Sequence, residues 1–395
     1  MKLVWVNGLV IGGMNPKDYL TNKHFCPIPW TGFMYNSNGD VLNCIRSQRP
    51  IGNLKDKGIH DILAENTETK KNMLDNKPGL GCNVCYDLEQ GKNSFDIISD
   101  RIFYLKELKS VDNTVYDQID TFDLRKIDIR WSSSCNHACV YCGPEYSTNW
   151  QHELKLKVEE PTQERVEELK KYVFDNAHKL KHVYLAGGEP LLMKENLELL
   201  EILQERNPNV NIRVNTNLSK TGTPVFDKIC EFRNVHWTIS VETLDKEFEY
   251  IRYGGKWTDF LDNLDRITAI DHKITFNMLW FVLNYRSIFD CIDFLKDQGF
   301  HNNSFVIGPV LGPPWLDVRN LPDDELDNIN IALQSRLNQD PGYLLEESYK
   351  NMMKHTRQPF NKDLSLTFKK LNEIDQRRGL DSKITFPEVY ECLRD

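Results

Sequence analysis

The segment Trp131-Ser-Ser-Ser-Cys135-Asn-His-Ala-Cys139-Val-Tyr-Cys142-Gly-Pro carries three cysteines spaced C-x3-C-x2-C, directly after the apolar run Ile127 to Trp131. Three thiolates this close on one loop suit one face of a 4Fe–4S cubane, whose irons are all closed by cysteine in simple ferredoxin sites. Here the local count stops at three. One iron is left open for an outside ligand, which is what separates catalytic from structural metal centres. The competing reading is a zinc ion held by the same cysteines and His137, since a short motif serves either metal. Against zinc, His137 reads as a polar residue of the loop.

A second set of thiols lies upstream. Cys26 and Cys44 flank a strand–turn–strand pattern, Gly32-Phe-Met-Tyr35, Asn-Ser-Asn-Gly39-Asp and Val41-Leu-Asn-Cys44, which predicts a hairpin that brings them together. Gly81-Cys82-Asn-Val-Cys85 adds a C-x2-C knuckle. Four thiolates suit zinc or a fully ligated cluster, and either would staple a segment with little core of its own. Cys230, Cys291 and Cys392 stand alone and read as buried structural thiols.

The elements that must position these groups alternate. Strand-like runs at Ile127–Trp131, His182–Ala186, Val210–Val214, Val235–Val241, Ile274–Leu283 and Phe305–Val310 are separated by amphipathic runs, among them Glu164–Phe174, Glu195–Gln204, Pro224–Phe232, Trp257–Ile270 and Ile288–Gln298. Such alternation predicts parallel β/α units, and barrel-like α/β proteins gather their reactive groups at the carboxyl ends of the strands. At those ends stand the cysteine loop, then Gly187-Gly-Glu189-Pro190, Asn215-Thr-Asn217, and Ser240-Val-Glu242 followed by Tyr250-Ile-Arg252. Asn277 faces inward by strand alternation. Asp317 and His301, near the end of the sixth strand, read as ordinary surface.

The cysteine loop at the end of a first strand, with the aromatic Tyr141 before the third cysteine, resembles the radical S-adenosylmethionine superfamily. The resemblance implies reductive cleavage of S-adenosylmethionine at the open iron, giving a 5′-deoxyadenosyl radical that abstracts hydrogen. It also implies that Tyr141 lies beside the adenine and that Gly187, Gly188 and Glu189 form the turn contacting the methionine amino group. By the same match, Ser240 and Arg252 hold the methionine carboxylate, Glu242 meets the ribose where the family more often has aspartate, and Ile307 lines the adenine. Asn217 is a further cofactor contact. Cys26, Gly39, Cys44 and the later C-x2-C are similar to the auxiliary-cluster modules called SPASM and twitch, which usually follow the core and here precede it. Four cysteines fit the single-cluster twitch form, hence an auxiliary 4Fe–4S cluster.

The fold expected is α/β. It comprises an N-terminal cysteine-rich α+β module (1–95), a bridge (96–124), a partial (β/α)6 three-quarter barrel (125–318) and a helical C-terminal region (319–395). The function expected is modification of a peptide or protein, with the auxiliary cluster relaying electrons and an external donor such as flavodoxin or ferredoxin. A small metabolite, nucleotide or sugar is the alternative substrate, and a non-catalytic zinc-stabilised binding scaffold is the alternative of another class. A net charge of −9 over 395 residues, with pI about 5.7, offers no global basic field for nucleic acid. No apolar run approaches the roughly 20 residues that cross a bilayer. The apolar N-terminus is interrupted by Asn7-Gly8, a hairpin signal. Ten cysteines with no export signal suit a reducing, cytoplasmic setting.

Overall fold

A computed structural model describes residues 4–6, 9–11, 22–90, 99–107, 116, 118–340 and 343–392. Its strands, in order, are β1 (Val4–Val6), β2 (Leu9–Ile11), β3 (Gly32–Tyr35), β4 (Asp40–Leu42), β5 (Pro50–Asn53), β6 (Lys126–Ile129), β7 (His182–Leu185), β8 (Asn211–Thr216), β9 (Val235–Ser240), β10 (Lys273–Trp280) and β11 (Phe305–Pro309). β1 and β2 pair antiparallel with Val6 opposite Leu9, as a hairpin at this point predicts. The turn residues Asn7 and Gly8 lie outside the described residues.

From β6 to β11 every neighbouring pair is parallel. The reason is the period of two in each strand. Ile127 and Ile129, Val183 and Leu185, Ile212 and Val214, Trp237 and Ile239, Phe276 and Met278, and Phe305 and Ile307 are all buried on one face. That face is covered by α1 (Gln163–Asp175), α2 (Lys194–Arg206), α3 (Pro224–Cys230), α4 (Trp257–Thr268) and α5 (Ser287–Asp297), through Leu169, Val173, Leu199, Leu203, Phe226, Leu264 and Ile292. Thr162 and Thr223 start α1 and α3 by accepting from the backbone N–H of Arg165 and Phe226. The other face turns inward and is polar: Asp128, Tyr184, Arg213, His236, Thr275 and Asn277. Every strand and helix expected in this region forms, with ends shifted by a few residues.

The sheet does not stop at β6. β3 pairs parallel to it, with Phe33 beside Ile127 and Tyr35 beside Ile129, and β4 and β5 continue antiparallel to give one nine-stranded sheet. Gly32 permits the close approach, because a Cβ there would stand 2.9 Å from the Lys126 carbonyl oxygen. The cysteine-rich hairpin is therefore an extension of the barrel sheet. Helix Asp100–Glu107 occupies the expected bridge, of which residues 96–98, 108–115 and 117 lie outside the described residues.

Three longer helices follow the barrel: α6 (Asp323–Gln339), α7 (Tyr343–Thr356) and α8 (Leu364–Arg378). α7 covers the free edge of β11, where Ser348 Oγ accepts from the Ile307 N–H at 3.0 Å. α8 reaches back to the cysteine loop: Arg378 donates to the Ala138 carbonyl at 2.8 Å and pairs with Glu153 at 2.9 Å. Asp317 departs from expectation. It is buried and accepts from Arg319 and His355, so it ties the end of β11 to α7. His301 is exposed, as expected. Among the described residues no helix is long and apolar enough to cross a membrane.

Candidate functional site

The loop after β6 is held from two sides. The N–H groups of Ala138 and Val140 donate to the carbonyls of Tyr253 and Ile251 at 2.7 and 2.9 Å, so the loop runs alongside the segment that follows β9. Trp150 Nε1 fixes the Cys139 carbonyl at 2.8 Å. Arg252 is thereby set beside the cysteines. On the other side the turn after β7 abuts the loop, with Glu189 N–H donating to the Ser134 carbonyl at 2.7 Å. Only glycine fits at 188, since a Cβ there would lie 2.2 Å from that same oxygen.

Burial pushes the thiols of Cys135, Cys139 and Cys142 up, that of Cys142 to about 12, and Cys139 and Cys142 each push up Cys135. Thiols in such surroundings become thiolates when a metal takes the proton's place. A donor set of three mutually interacting thiols with no fourth cysteine fits a cluster with one open iron. His137 is not the polar loop residue expected. It is buried, neither ring nitrogen has a partner among the described residues, and its ring packs on Gly255, where a Cβ would stand 2.9 Å from Cε1. Burial pushes its imidazole down to about 3, helped by the Arg252 charge.

Glu189 is wholly buried and draws the strand ends together. One oxygen accepts from Leu191 N–H at 3.1 Å and Thr216 Oγ1 at 2.8 Å, the other from Asn217 N–H at 2.7 Å. Burial pushes its carboxyl up to about 7 against these three donors. A carboxylate offers about four acceptor positions, so one remains. Asn217 Nδ2 donates to Asn136 Oδ1 at 3.2 Å and lies 3.9 Å from Cys135 Sγ.

Arg252 and Glu242 form a buried two-pronged pair, with Nε and Nη2 each 2.6 Å from a carboxylate oxygen. Tyr141 donates to the same carboxylate at 3.1 Å, and the guanidinium lies 5.8 Å from its ring centroid. Burial opposes the charge of Arg252, but Glu242 outweighs it and holds the guanidinium above its ordinary range. Among the described residues nothing accepts from Arg252 Nη1. Ser240 ends β9 beside Asn277 of β10, both facing inward. Ile307 does not face inward: its side chain is in the core and its N–H is taken by Ser348, so Val306 and Gly308 line the interior on β11.

The N-terminal thiols also gather. Cys26 is affected by Cys44, Cys82 and Cys85, and burial pushes both Cys82 and Cys85 up to about 12. Phe25, Trp30, Met73 and Tyr116 wall them in. Among the described residues no three His, Cys, Asp or Glu side chains close on a point that would hold one metal ion. The four-thiol set with its apolar wall fits a fully ligated cluster. Cys291 is buried as expected, whereas Cys230 and Cys392 are only partly so.

Residues 129–295 match the radical SAM superfamily, and residues 26–86, from the first auxiliary cysteine to just past the last, match the SPASM iron–sulfur cluster-binding domain. GTP 3′,8-cyclase of Sulfurimonas denitrificans is 26% identical over 189 residues, 46% of this chain and 56% of that protein. A 7-carboxy-7-deazaguanine synthase of Clostridium acetobutylicum is 23% identical over 206 residues, 51% of this chain and 81% of that one. The chain spans about half the length of the cyclases it matches. Among solved structures, Streptococcus suis SuiB bound to precursor peptide SuiA is 15% identical with a TM-score of 0.41, over 72% of this chain and 67% of that one. Together the two family matches favour iron–sulfur chemistry over zinc. The chain thus carries a radical SAM superfamily domain preceded by an iron–sulfur cluster-binding domain of the SPASM type.

Proposed function

We propose that this chain reductively cleaves S-adenosylmethionine and uses the resulting 5′-deoxyadenosyl radical to abstract a hydrogen atom from a bound substrate. The observation that carries the reading is the meeting of three thiols with Glu189, Asn217 and the Arg252–Glu242 pair at the carboxyl ends of the strands. When bound at Cys135, Cys139 and Cys142, a 4Fe–4S cluster with an open iron supplies the electron for that cleavage. The chain's own residues bind and orient. The last acceptor position of Glu189 suits the methionine amino group, and Arg252 Nη1, with Ser240, suits the carboxylate. Glu242, holding Arg252 through both oxygens, aims the guanidinium and keeps one acceptor position that suits a ribose hydroxyl. Gly187 and Gly188 let the backbone approach, and Tyr141 with Val306 and Gly308 suits the adenine.

In this reading Cys26, Cys44, Cys82 and Cys85 hold an auxiliary cluster that relays an electron to or from the substrate radical, since four thiolates leave no iron open. An external donor of the flavodoxin or ferredoxin kind feeds the core. Ten cysteines, seven of them in this reading cluster ligands, suit a reducing, cytoplasmic setting. The proposed substrate is a peptide or protein side chain, as the resemblance to SPASM-bearing enzymes implies. A small-molecule substrate is the second reading. It is favoured by the partial similarity to a GTP 3′,8-cyclase and a 7-carboxy-7-deazaguanine synthase.

Paramagnetic resonance of the dithionite-reduced protein tests the proposal. Adding S-adenosylmethionine should change the spectrum of the wild type. The Cys135→Ala/Cys139→Ala/Cys142→Ala variant should keep only an N-terminal signal that does not respond. A wild-type spectrum indifferent to S-adenosylmethionine sinks the reading.

A further inference from the structure

The barrel interior has the opposite charge to the rest of the chain. The protein carries −9 overall, yet the inward positions of β6 to β11, with Arg130 just past β6, hold Lys126, Arg130, Arg213 and Lys273 against one carboxylate, Asp128. Asp128 is spent on Arg130, 2.7 Å away. Against burial, Asp128 and Asp100 also offset Lys126 and push its ammonium up, whereas among the described residues no carboxylate pairs with Arg213 or Lys273. Arg213 and Lys273 thus offer positive charge that an anionic ligand can meet.

Arg213 is the best placed of them. Parallel register sets Asp128, Tyr184, Arg213 and His236 side by side across four strands. Thr238 Oγ1 accepts from Arg213 Nε at 2.9 Å, and the guanidinium lies 5.6 Å from the Tyr184 ring centroid. Arg130 flanks the same ring at 6.0 Å. Arg213 lies on the inward face by strand alternation and is solvent-exposed, and among the described residues nothing accepts from its Nη groups. His236 beside it stays neutral: burial, Arg213 and Lys273 push its imidazole down to about 3. A planar fork held by one hydrogen bond and one ring, with its far edge free, is arranged to receive an oxyanion in two-pronged fashion.

We infer that the substrate carries a carboxylate or phosphate and that Arg213, with Arg130 behind Tyr184, holds it in the barrel interior. The inference rests on the radical-enzyme reading for what the anchored group is for. Arg213 lies four residues before Asn217 on β8, about 13 Å below the cysteine end. An anion fixed at that depth leaves the rest of the molecule to extend upward, its reacting carbon toward the S-adenosylmethionine site.

Anaerobic titration calorimetry on the iron-reconstituted full chain tests this with two probes, pyrophosphate and glutarate. One of them should bind the wild type at millimolar concentration or below. It should bind at least tenfold more weakly to Arg213→Gln, with Arg213→Lys in between and the surface variant Arg206→Gln matching the wild type. Binding of pyrophosphate marks a phosphoryl group and binding of glutarate a carboxylate. Iron per chain checks that each variant is folded. The inference is overturned if neither probe binds the wild type, if Arg213→Gln binds as well as the wild type, or if Arg206→Gln loses as much. Wild-type cleavage of S-adenosylmethionine is measured separately, so failure of the radical reading and failure of the anion site are told apart.

Discussion

Arg252 commits two of its three nitrogens to Glu242, and among the described residues nothing accepts from the third. Both partners are almost fully buried, at 3% and 1% side-chain exposure, so removing one leaves the other as an uncompensated charge. Arg252→Ala should therefore cost about 3–5 kcal/mol in denaturant unfolding. Arg252→Lys keeps the charge and loses the fork, so it should lose less. In Arg252→Lys, affinity for S-adenosylmethionine should still fall by roughly tenfold, the scale of one charge-assisted hydrogen bond. Unchanged affinity in a folded Arg252→Lys would remove Arg252 from the cofactor site. The spacing from Ser240 to Arg252 made this neighbourhood legible in the sequence. The pairing with Glu242 was not legible, because ten residues of strand end, turn and short helix carry no period that joins the two. His137 was misread for a related reason: a histidine between two cysteines looks like loop, and only the packing of residues 251–255 over it makes it core.

At the level of elements, the turn after β7 and the cysteine loop fit against each other through Gly188. Gly188→Ala should cost about 1–3 kcal/mol as an overpacked contact. It should also lower core iron per chain, measured against the iron retained by the N-terminal cysteines; full core iron in this variant would contradict the close fit. The link between the end of β11 and α7 makes a prediction about pH. Burial alone would push Asp317 up, but the hydrogen bonds from Arg319 and His355 outweigh it and hold the carboxyl below its ordinary range. A folded value below the unfolded one, about 3.9, means the contribution is fully present above that pH and is lost as pH falls through the folded value. The stability gap between wild type and Asp317→Asn, of about 3 kcal/mol at neutral pH, should thus narrow below about pH 4 in denaturant melts. A gap that is flat from pH 7 to pH 3 contradicts the assignment. Local periodicity announced the strands and helices, but the burial of Asp317 depends on α7, some forty residues away, and left no local mark.

Over the whole molecule, the alternation of β/α units announced the barrel and the four spaced cysteines announced a metal-holding hairpin. What the sequence did not disclose is that β3 joins β6. Parallel pairing between segments some ninety residues apart has no turn to signal it, and Phe33 and Tyr35 look the same in an isolated hairpin as beside Ile127 and Ile129. One shared sheet predicts one cooperative transition. Cys82→Ala/Cys85→Ala should lower the temperature of a single calorimetric peak; a second, separate peak would show that the hairpin and barrel unfold apart. The central claim concerns what Cys135, Cys139 and Cys142 do, and product analysis tests it most directly. Anaerobically reconstituted protein is incubated with S-adenosylmethionine and dithionite, and 5′-deoxyadenosine is quantified. The wild type should accumulate it, and the triple alanine variant, still holding its N-terminal iron, should form none. Continued 5′-deoxyadenosine formation by that variant, at the wild-type rate, would contradict the account.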